Sequence, residues 1–495
     1  MTIIIARGRV LVTILSVLWI GLTVWYEYFR FAQDGKQCSW PDDKFLPTVK
    51  PTHVLVIADP QILDHRSYPE RSALLSWITR VMVKINMRKN WWVAKGMRPD
   101  MVVFLGDMLD GGRFDMSDAE YEAYVKRFND IFQLDATVPK YFIPGNHDTG
   151  LGIEEWFSPE RYTRYVKHFG DLNYEVRVAN HSLVFVDAPG FADEEHKMKL
   201  AGMGFGQWTP KPGGALEFVT KYTNPNDDPT VLLSHIPLYR PGGNGCGPLR
   251  ERGRIRPGGG AGYQNTLEKD GSQLLLETFH PTLILSGDDH DYCEYTHFIA
   301  SSPSHPNPPN AKEISVKSFS MAMGVKRPGF HLLSLAPSAL RNPKFGHKPN
   351  DDTPCFMPDQ LGIYLRIYLP VGILTVVATF VANVCRCGSK RGRGRSLTRR
   401  SPSVDARDRR RMSPPPASPL TRRPGSPSAE LEKGFASDLQ REGRNIRKRT
   451  LWPILFVCFY PRTRRYPAFV NFLLDLKDIS FYPLLIFSVV SYWFS

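Results

Sequence analysis

Five stretches of this chain follow apolar, strand-length runs and end on residues able to bind a cation or move a proton. They are Ala58-Asp59-Pro60-Gln61, Gly106-Asp107, Gly145-Asn146-His147-Asp148, Ser234-His235 and Gly287-Asp288-Asp289-His290. In open α/β sheets ligands bind beyond the carboxyl ends of strands, so five such endings in order read as one converging site. Asp59, Gln61, Asp107, Asn146, His235, Asp288 and His290 offer oxygen and imidazole donors with no thiolate. That set suits divalent manganese, iron or zinc better than a structural zinc site. Two ions about 3.5–4 Å apart need a bridging carboxylate, as in phosphatases and nucleases. Asp107 is the natural bridge, because Gly106 lets the backbone turn sharply beside it. A strand-end Asp alone is ordinarily a turn residue or helix cap. His235, ahead of Ile236-Pro237, has the alternative reading of a buried hydrogen-bonded histidine, and His168 and His181 read as surface residues. The ordered set carries the reading, not any one member.

The elements that must position these residues alternate. Strands are expected at 53–58, 101–105, 140–143, 183–187, 230–233 and 282–286, and helices at 70–88, 117–133, 159–168 and 272–279. Such alternation argues for an α/β sheet with helices on its faces. The runs 174–178 and 183–187, split by Ala179-Asn180-His181-Ser182, read as a hairpin, and 313–319 and 329–335 add strands. The Gly-rich stretch 241–262 is long for a plain connection, and loops of that length are often functional.

The net charge of +14 is local. Residues 386–450 hold 19 of the 63 Lys and Arg but only 6 of the 49 Asp and Glu, so the remainder is close to neutral. The high pI therefore gives no reason to expect nucleic-acid binding, and the Arg/Ser/Pro-rich tract reads as a disordered, solvated cytosolic segment. Residues 1–9 read as a cytosolic N-terminus and 10–29 as an uncleaved transmembrane signal anchor, since no small-residue cleavage site follows. A second span is expected at 361–385. Followed by the basic tract, it places residues 37–355 across the membrane from the cytosol, in a lumenal domain. Residues 451–495 read as membrane-associated, with a helical spacing at 467–476 suited to the interface and a third span possible at 479–495.

Cys38, Cys246, Cys293 and Cys355 fall in the lumenal part, where oxidation is permitted. Four cysteines allow three pairings. Cys246–Cys293 would pin the Gly-rich loop across the metal site, and Cys38–Cys355 would tie the ends of the domain; a buried free thiol at Cys293 is the alternative. Cys385 and Cys387 are juxtamembrane, where palmitoylation is weakly indicated. The sequon Asn180-His181-Ser182 makes Asn180 the expected glycosylation site.

Asp-x-Gln, Gly-Asp, Gly-Asn-His-Asp, a lone His and Gly-x-x-His resemble the five-part signature of the calcineurin-like metallophosphoesterases, over residues 53 to about 335. The resemblance implies an α/β fold, a four-layer αββα sandwich, with a two-metal site at one edge. It would give the first ion Asp59, Gln61, Asp107 and His290, and the second Asp107, Asn146, His235 and Asp288. His147 matches the family's catalytic histidine and Asp110 the aspartate that orients it. Two positions depart from the pattern: Gln61 stands where the family usually has His, and Asp288 replaces the first His of Gly-His-x-His. A weaker amide ligand and an added carboxylate favour a harder ion, so two Mn2+ are expected.

The blocks Ile57-Ala58-Asp59-Pro60-Gln61, Cys246-Gly247-Pro248-Leu249-Arg250, Tyr263-Gln264-Asn265 and Ser286 to Glu294 are similar to the fungal and animal membrane phosphoesterases of the secretory pathway. That narrower resemblance implies removal of an ethanolamine-phosphate side group from a mannose of the glycosylphosphatidylinositol (GPI) anchor. It also implies residence in endoplasmic reticulum or Golgi membranes, with GPI-anchored proteins and transport receptors as partners. The expected reaction is in-line attack on a phosphodiester by water whose pKa the two ions lower, with His147 protonating the departing sugar oxygen. Arg250 and Arg252, with Tyr263 and Gln264, are the candidate substrate contacts, since Arg forks suit phosphate. Another lumenal phosphodiesterase, acting on nucleotides or sphingolipids, and a non-catalytic cargo receptor are the alternatives.

Overall fold

The computed structural model describes residues 2–152, 154–243, 245–299, 310–336, 350–394 and 468–494. Its strands, in chain order, are β1 (Thr52–Ile57), β2 (Met101–Leu105), β3 (Lys140–Ile143), β4 (Tyr174–Val178), β5 (His181–Val186), β6 (Thr230–Ser234), β7 (Gly259–Gly260), β8 (Tyr263–Gln264), β9 (Leu283–Ser286), β10 (Cys293–His297), β11 (Ala311–Ser315), β12 (Gly329–Leu335) and β13 (Asn350–Phe356). One sheet runs β13-β12-β1-β2-β3 and a second runs β10-β11-β9-β6-β5-β4, while β7 and β8 form a small hairpin. The central pairs β1–β2, β2–β3, β5–β6, β6–β9 and β9–β11 are parallel. Parallel strands are covered on both faces, which is why β1, β2 and β6 are near-continuous apolar runs.

Alternate residues of each strand feed different layers. Val54, Val56, Val103 and Leu105 meet Phe185, Val231, Leu233 and Leu285 between the sheets. Leu55, Ile57, Val102 and Phe104 pack outward on helices Ala73–Gly96 and Asp118–Ile131, through Val83, Met87, Tyr121 and Phe128. The outer face of the second sheet packs on helices Ala188–Leu200, Ala215–Lys221 and Lys269–Phe279, through Phe191, Val219 and Leu275. The layers are therefore helix, sheet, sheet, helix.

Several elements escape the sequence reading. Helix Ala188–Leu200 opens on Pro-Gly, which reads as a turn. The Asp187 carboxylate accepts from the Gly190 N–H at 2.9 Å, and Pro at the first turn lacks only an N–H that would be orphaned anyway. Helix Ala215–Lys221 is too short to show a period. Strands β10 and β13 are sheet edges without an apolar run, and β13 carries a proline, which a sheet tolerates at an edge. The charges of β13 are paired: Asp351 with Lys44 at 2.7 Å and Asp352 with Lys312 at 2.9 Å.

Two helices are long and apolar enough to cross a membrane, Arg9–Lys36 and Gln360–Cys385. Each contains a wide turn, at Trp25–Phe29 and Tyr364–Tyr368. The Trp19 indole donates to Thr375 Oγ1 at 3.0 Å, and Tyr368 OH donates to Glu27 at 2.9 Å. The second helix continues to Gly394, so the backbone of the basic tract is helical where it begins; 395–450 lies outside the described residues. The interfacial piece and the short third span expected near the C-terminus form one helix, Ala468–Trp493, which passes through Pro483.

The chain divides into two compact units, Met1–Val12 with Val376–Asp478, and Thr13–Thr375 with Ile479–Ser495. Within the first, Asn383 Nδ2 donates to Asp475 at 2.9 Å and Phe380 meets Phe472 edge-on at 5.7 Å. The second holds both sheets.

Candidate functional site

The five strand endings meet at one rim. Asp59, Gln61, Asp107, Asp288 and His290 all adopt left-handed backbone conformations, with φ of 48°, 41°, 55°, 61° and 66°. Such conformations cost free energy in non-glycine residues and cluster where geometry serves a function. They turn the chain sharply as it leaves each strand, so the side chains point back across the rim. Two glycines make room. A Cβ on Gly106 would collide with the His235 ring, and one on Gly145 with the Asp107 carboxylate.

Ligand atoms of Asp59, Asp107 and His235 lie within 4.8 Å of one another, all buried. His235 Nε2 is 3.1 Å from Asn146 Oδ1, 3.4 Å from Asp107 and 3.6 Å from Asp288. Its Nδ1 faces the Leu105 carbonyl at 2.7 Å, which holds the ring and leaves Nε2 toward the cluster. Gln61 Nε2 donates to Asp107 Oδ2 at 2.8 Å, so the departing residue of the first block does reach the proposed bridge. The His147 N–H donates to Asp107 Oδ1 at 2.8 Å, and the Asp288 N–H to Asp59 Oδ1 at 3.0 Å.

This donor set fits divalent ions. Three carboxylates, of Asp59, Asp107 and Asp288, converge with His235 in a buried space. Asp59 Oδ2 is buried and has no hydrogen-bond partner among the described residues. Buried anions demand compensation, and a cation supplies it. Burial raises the Asp59 pKa well above the ordinary carboxylate value. Burial opposes the charged form of His235, but Asp107 and Asp288 outweigh it and raise its pKa. Protons and metal thus compete for these ligands. His290 behaves differently, since burial holds its pKa below 6.5 and favours the neutral, ligating form.

His147 sits beside this cluster. Its Nδ1 is 2.6 Å from the Asp110 carbonyl oxygen and 3.3 Å from the Asp110 carboxylate. The orienting contact expected of the Asp110 side chain is thus shared with its backbone. Ser67 Oγ donates to the other Asp110 oxygen, and Ser67 is itself held by Asp64, whose Oδ1 accepts its N–H at 2.9 Å.

Two residues outside the expected ligand set, Asp148 and Arg113, also shape the site. Asp148 is fully buried and accepts from the N–H groups of Met108 at 3.3 Å, Leu109 at 3.1 Å and Gly145 at 3.0 Å, joining the two ligand loops. Arg113 donates to the Asn146 carbonyl at 3.0 Å and the Gly262 carbonyl at 3.1 Å. Asn146 Nδ2 also donates to Gly262, at 2.8 Å, so the β7–β8 hairpin is held against the site. The signal for Arg113 was its place three residues after Asp110.

Cys246 is bonded to Cys293, with Cα atoms 4.4 Å apart, and Cys38 to Cys355, with 5.5 Å. Arg250 commits its guanidinium fork to the Asp289 carboxylate, beside the candidate ligand Asp288. The backbone N–H of Arg252 donates to Asp291 at 3.0 Å, while its side chain is exposed. Tyr263 is exposed, and Gln264 Nε2 donates to the Thr266 carbonyl at 2.9 Å. Asn180 is exposed at the β4–β5 turn, at φ 58°.

Comparison with known proteins agrees with this arrangement. The family model described as calcineurin-like phosphoesterase matches residues 52–292. Cell division control protein 1 of Saccharomyces cerevisiae is 35% identical over 370 residues, covering 72% of this chain and 71% of that protein. The metallophosphoesterase 1 homolog of Caenorhabditis elegans is 26% identical, covering 56% and 70%, and metallophosphoesterase 1 of Mus musculus is 26% identical, covering 62% and 76%. With its signature blocks on one rim of an αββα sandwich, the chain belongs to the calcineurin-like metallophosphoesterases, enzymes that hydrolyse phosphoric esters with divalent metal.

Proposed function

We propose that this chain is a membrane-anchored phosphodiesterase that removes ethanolamine phosphate from a mannose of the GPI-anchor glycan, on the lumenal side of endoplasmic reticulum or Golgi membranes. The observation that carries the chemistry is the buried cluster of Asp59, Asp107 and His235 with His147 adjacent. The substrate reading is supported by the resemblance of the Cys246–Arg250, Tyr263–Asn265 and Ser286–Glu294 blocks to the secretory-pathway group. Two helices fit for a bilayer are consistent with a lipid-linked substrate.

In this reading Asp59, Gln61, Asp107 and His290 hold one ion and Asp107, Asn146, His235 and Asp288 the other, with manganese preferred. Divalent ions held there would neutralise phosphoryl oxygens and lower the pKa of the attacking water. The chain supplies the rest. His147, with Nδ1 committed to Asp110, has Nε2 left to pass a proton to the departing sugar oxygen. The Gly-rich loop, fastened by Cys246–Cys293, by Arg250–Asp289 and by Gly262, walls the site. Arg252 and Tyr263 remain exposed on that loop as candidate glycan contacts. GPI-anchored proteins, and receptors that carry them, are the partners this reading implies.

Mass spectrometry of GPI precursors in cells with and without the protein tests the proposal. Accumulation of a glycan retaining one ethanolamine phosphate is expected, reversed by the wild-type chain and not by His147→Gln. Unchanged precursors, with the purified protein hydrolysing nucleotide or sphingolipid phosphodiesters instead, would overturn the substrate assignment and leave the phosphoesterase chemistry standing.

A further inference from the structure

The helix Ala73–Gly96 is apolar on two opposite faces. Val83, Met87, Trp91 and Ala94 face the core. Leu74, Ile78, Val81, Ile85 and Trp92 also recur at helical spacing, about half a turn away from that face at ~100° per residue. A helix with one neighbouring sheet needs only one apolar face, so the second stripe calls for a second surface.

The C-terminal end of this stripe is already covered by the membrane-associated helices. Trp92 packs on Tyr28 at 5.6 Å and on Phe494 at 5.4 Å. Lys89, fully buried, pairs with Glu27 and lies 5.1 Å from the Phe31 ring and 5.8 Å from Phe487. The N-terminal end is bare: Leu74 is 68% exposed, Trp77 56%, Leu75 49% and Ile78 41%.

We propose that the N-terminal half of this helix docks on the lipid surface of the bilayer that the helices Arg9–Lys36 and Gln360–Cys385 are suited to cross. Continuity identifies the occupant: the stripe that meets the membrane-associated helices at Trp92 resumes beyond the buried Lys89 at Ile85 and runs outward through Val81, Ile78 and Leu74. Charge agrees. The helix carries Arg80, Lys84, Arg88 and Lys95, besides the buried Lys89, and no Asp or Glu, so no carboxylate of its own opposes contact with lipid phosphates. Trp77 suits the same boundary, with an apolar body and one polar N–H. The helix follows directly on the loop whose Ser67 holds Asp110, so docking sets the site's position above the headgroups.

The test uses the full wild-type chain in vesicles of phosphatidylcholine with about one-fifth phosphatidylserine, doped with a phospholipid bearing a photoactivatable diazirine near its headgroup. After irradiation and trypsin, the peptide Ser72–Arg80 should carry lipid adducts at several times the level of Phe114–Lys126, on the solvent-facing helix Asp118–Ile131. Replacing Leu74, Trp77 and Ile78 together with Glu should lower adducts on that peptide at least fivefold while leaving those on the span Gln360–Cys385 unchanged. Two results overturn the proposal. One is Ser72–Arg80 labelled no more than Phe114–Lys126 while the spans are labelled. The other is the same peptide protected only as protein concentration rises, which would assign the face to a second copy of the chain. Turnover is not read, so the outcome is independent of the substrate proposed above.

Discussion

Replacing His147 by Gln tests the chemistry most directly. Burial works against an imidazolium at this position, but the Asp107 carboxylate and the Asp110 hydrogen bond outweigh it and push the pKa up to about 9. A raised histidine pKa means the proton is held at neutral pH and lost as pH rises through the folded value. A divalent ion held by Asp107 would withdraw part of that support, so the basic limb of the rate profile is expected between 6.5 and about 9. General-acid assistance typically contributes about 10²–10⁴-fold, or roughly 3–5 kcal/mol of barrier. That assistance matters only when the leaving group needs a proton. His147→Gln should therefore lose about 10²–10⁴ in kcat/KM on a phosphodiester with an alkyl alcohol leaving group, and less than about tenfold on a p-nitrophenyl diester. Its profile for the alkyl substrate should also lack the basic limb. Steady-state kinetics on both substrates with metal in excess, and circular dichroism to check the fold, make the measurement. Equal losses on the two substrates would refute the acid role and leave His147 as a part that merely holds Asp107, to which its N–H donates at 2.8 Å.

Three further outcomes are expected. Asp107→Asn should drop bound metal below two ions per chain and abolish turnover with the fold intact; metal analysis of the purified variant showing two ions and full activity would remove Asp107 as the bridge. Lys89→Met leaves Glu27 buried without its cationic partner and should cost about 3–5 kcal/mol of stability, while Lys89→Met with Glu27→Gln should recover most of it, measured by denaturant unfolding in one detergent. Asn180→Gln should abolish an endoglycosidase-sensitive shift, as a lumenal domain requires; protease access to the domain in sealed microsomes would contradict that orientation.

The candidate ligands could be placed from the chain because each sits at the end of a buried parallel strand, and such strands announce themselves as apolar runs bounded by glycine or a polar residue. Asp59, Asp107, His235 and Asp288 could be placed on one rim from that pattern alone, and the alternation of strands and helices was enough for the layers. What escaped is what period and propensity do not encode. Helix Ala188–Leu200 was hidden by its opening Pro-Gly, and β13 by a Pro and two Asp whose charges are satisfied from neighbouring segments. The role of Asp148 is decided by the close approach of two loops whose N–H groups need an acceptor. Arg250 reads in sequence as a phosphate fork, but Asp289, 39 residues on, occupies that fork. The second apolar stripe of Ala73–Gly96 shows the same division. Its residues are present in the sequence, but only packing reveals which face the core takes and which is left for another surface. Local residue types determined where donors and turns fall; long-range contacts decided which donors remain free to act.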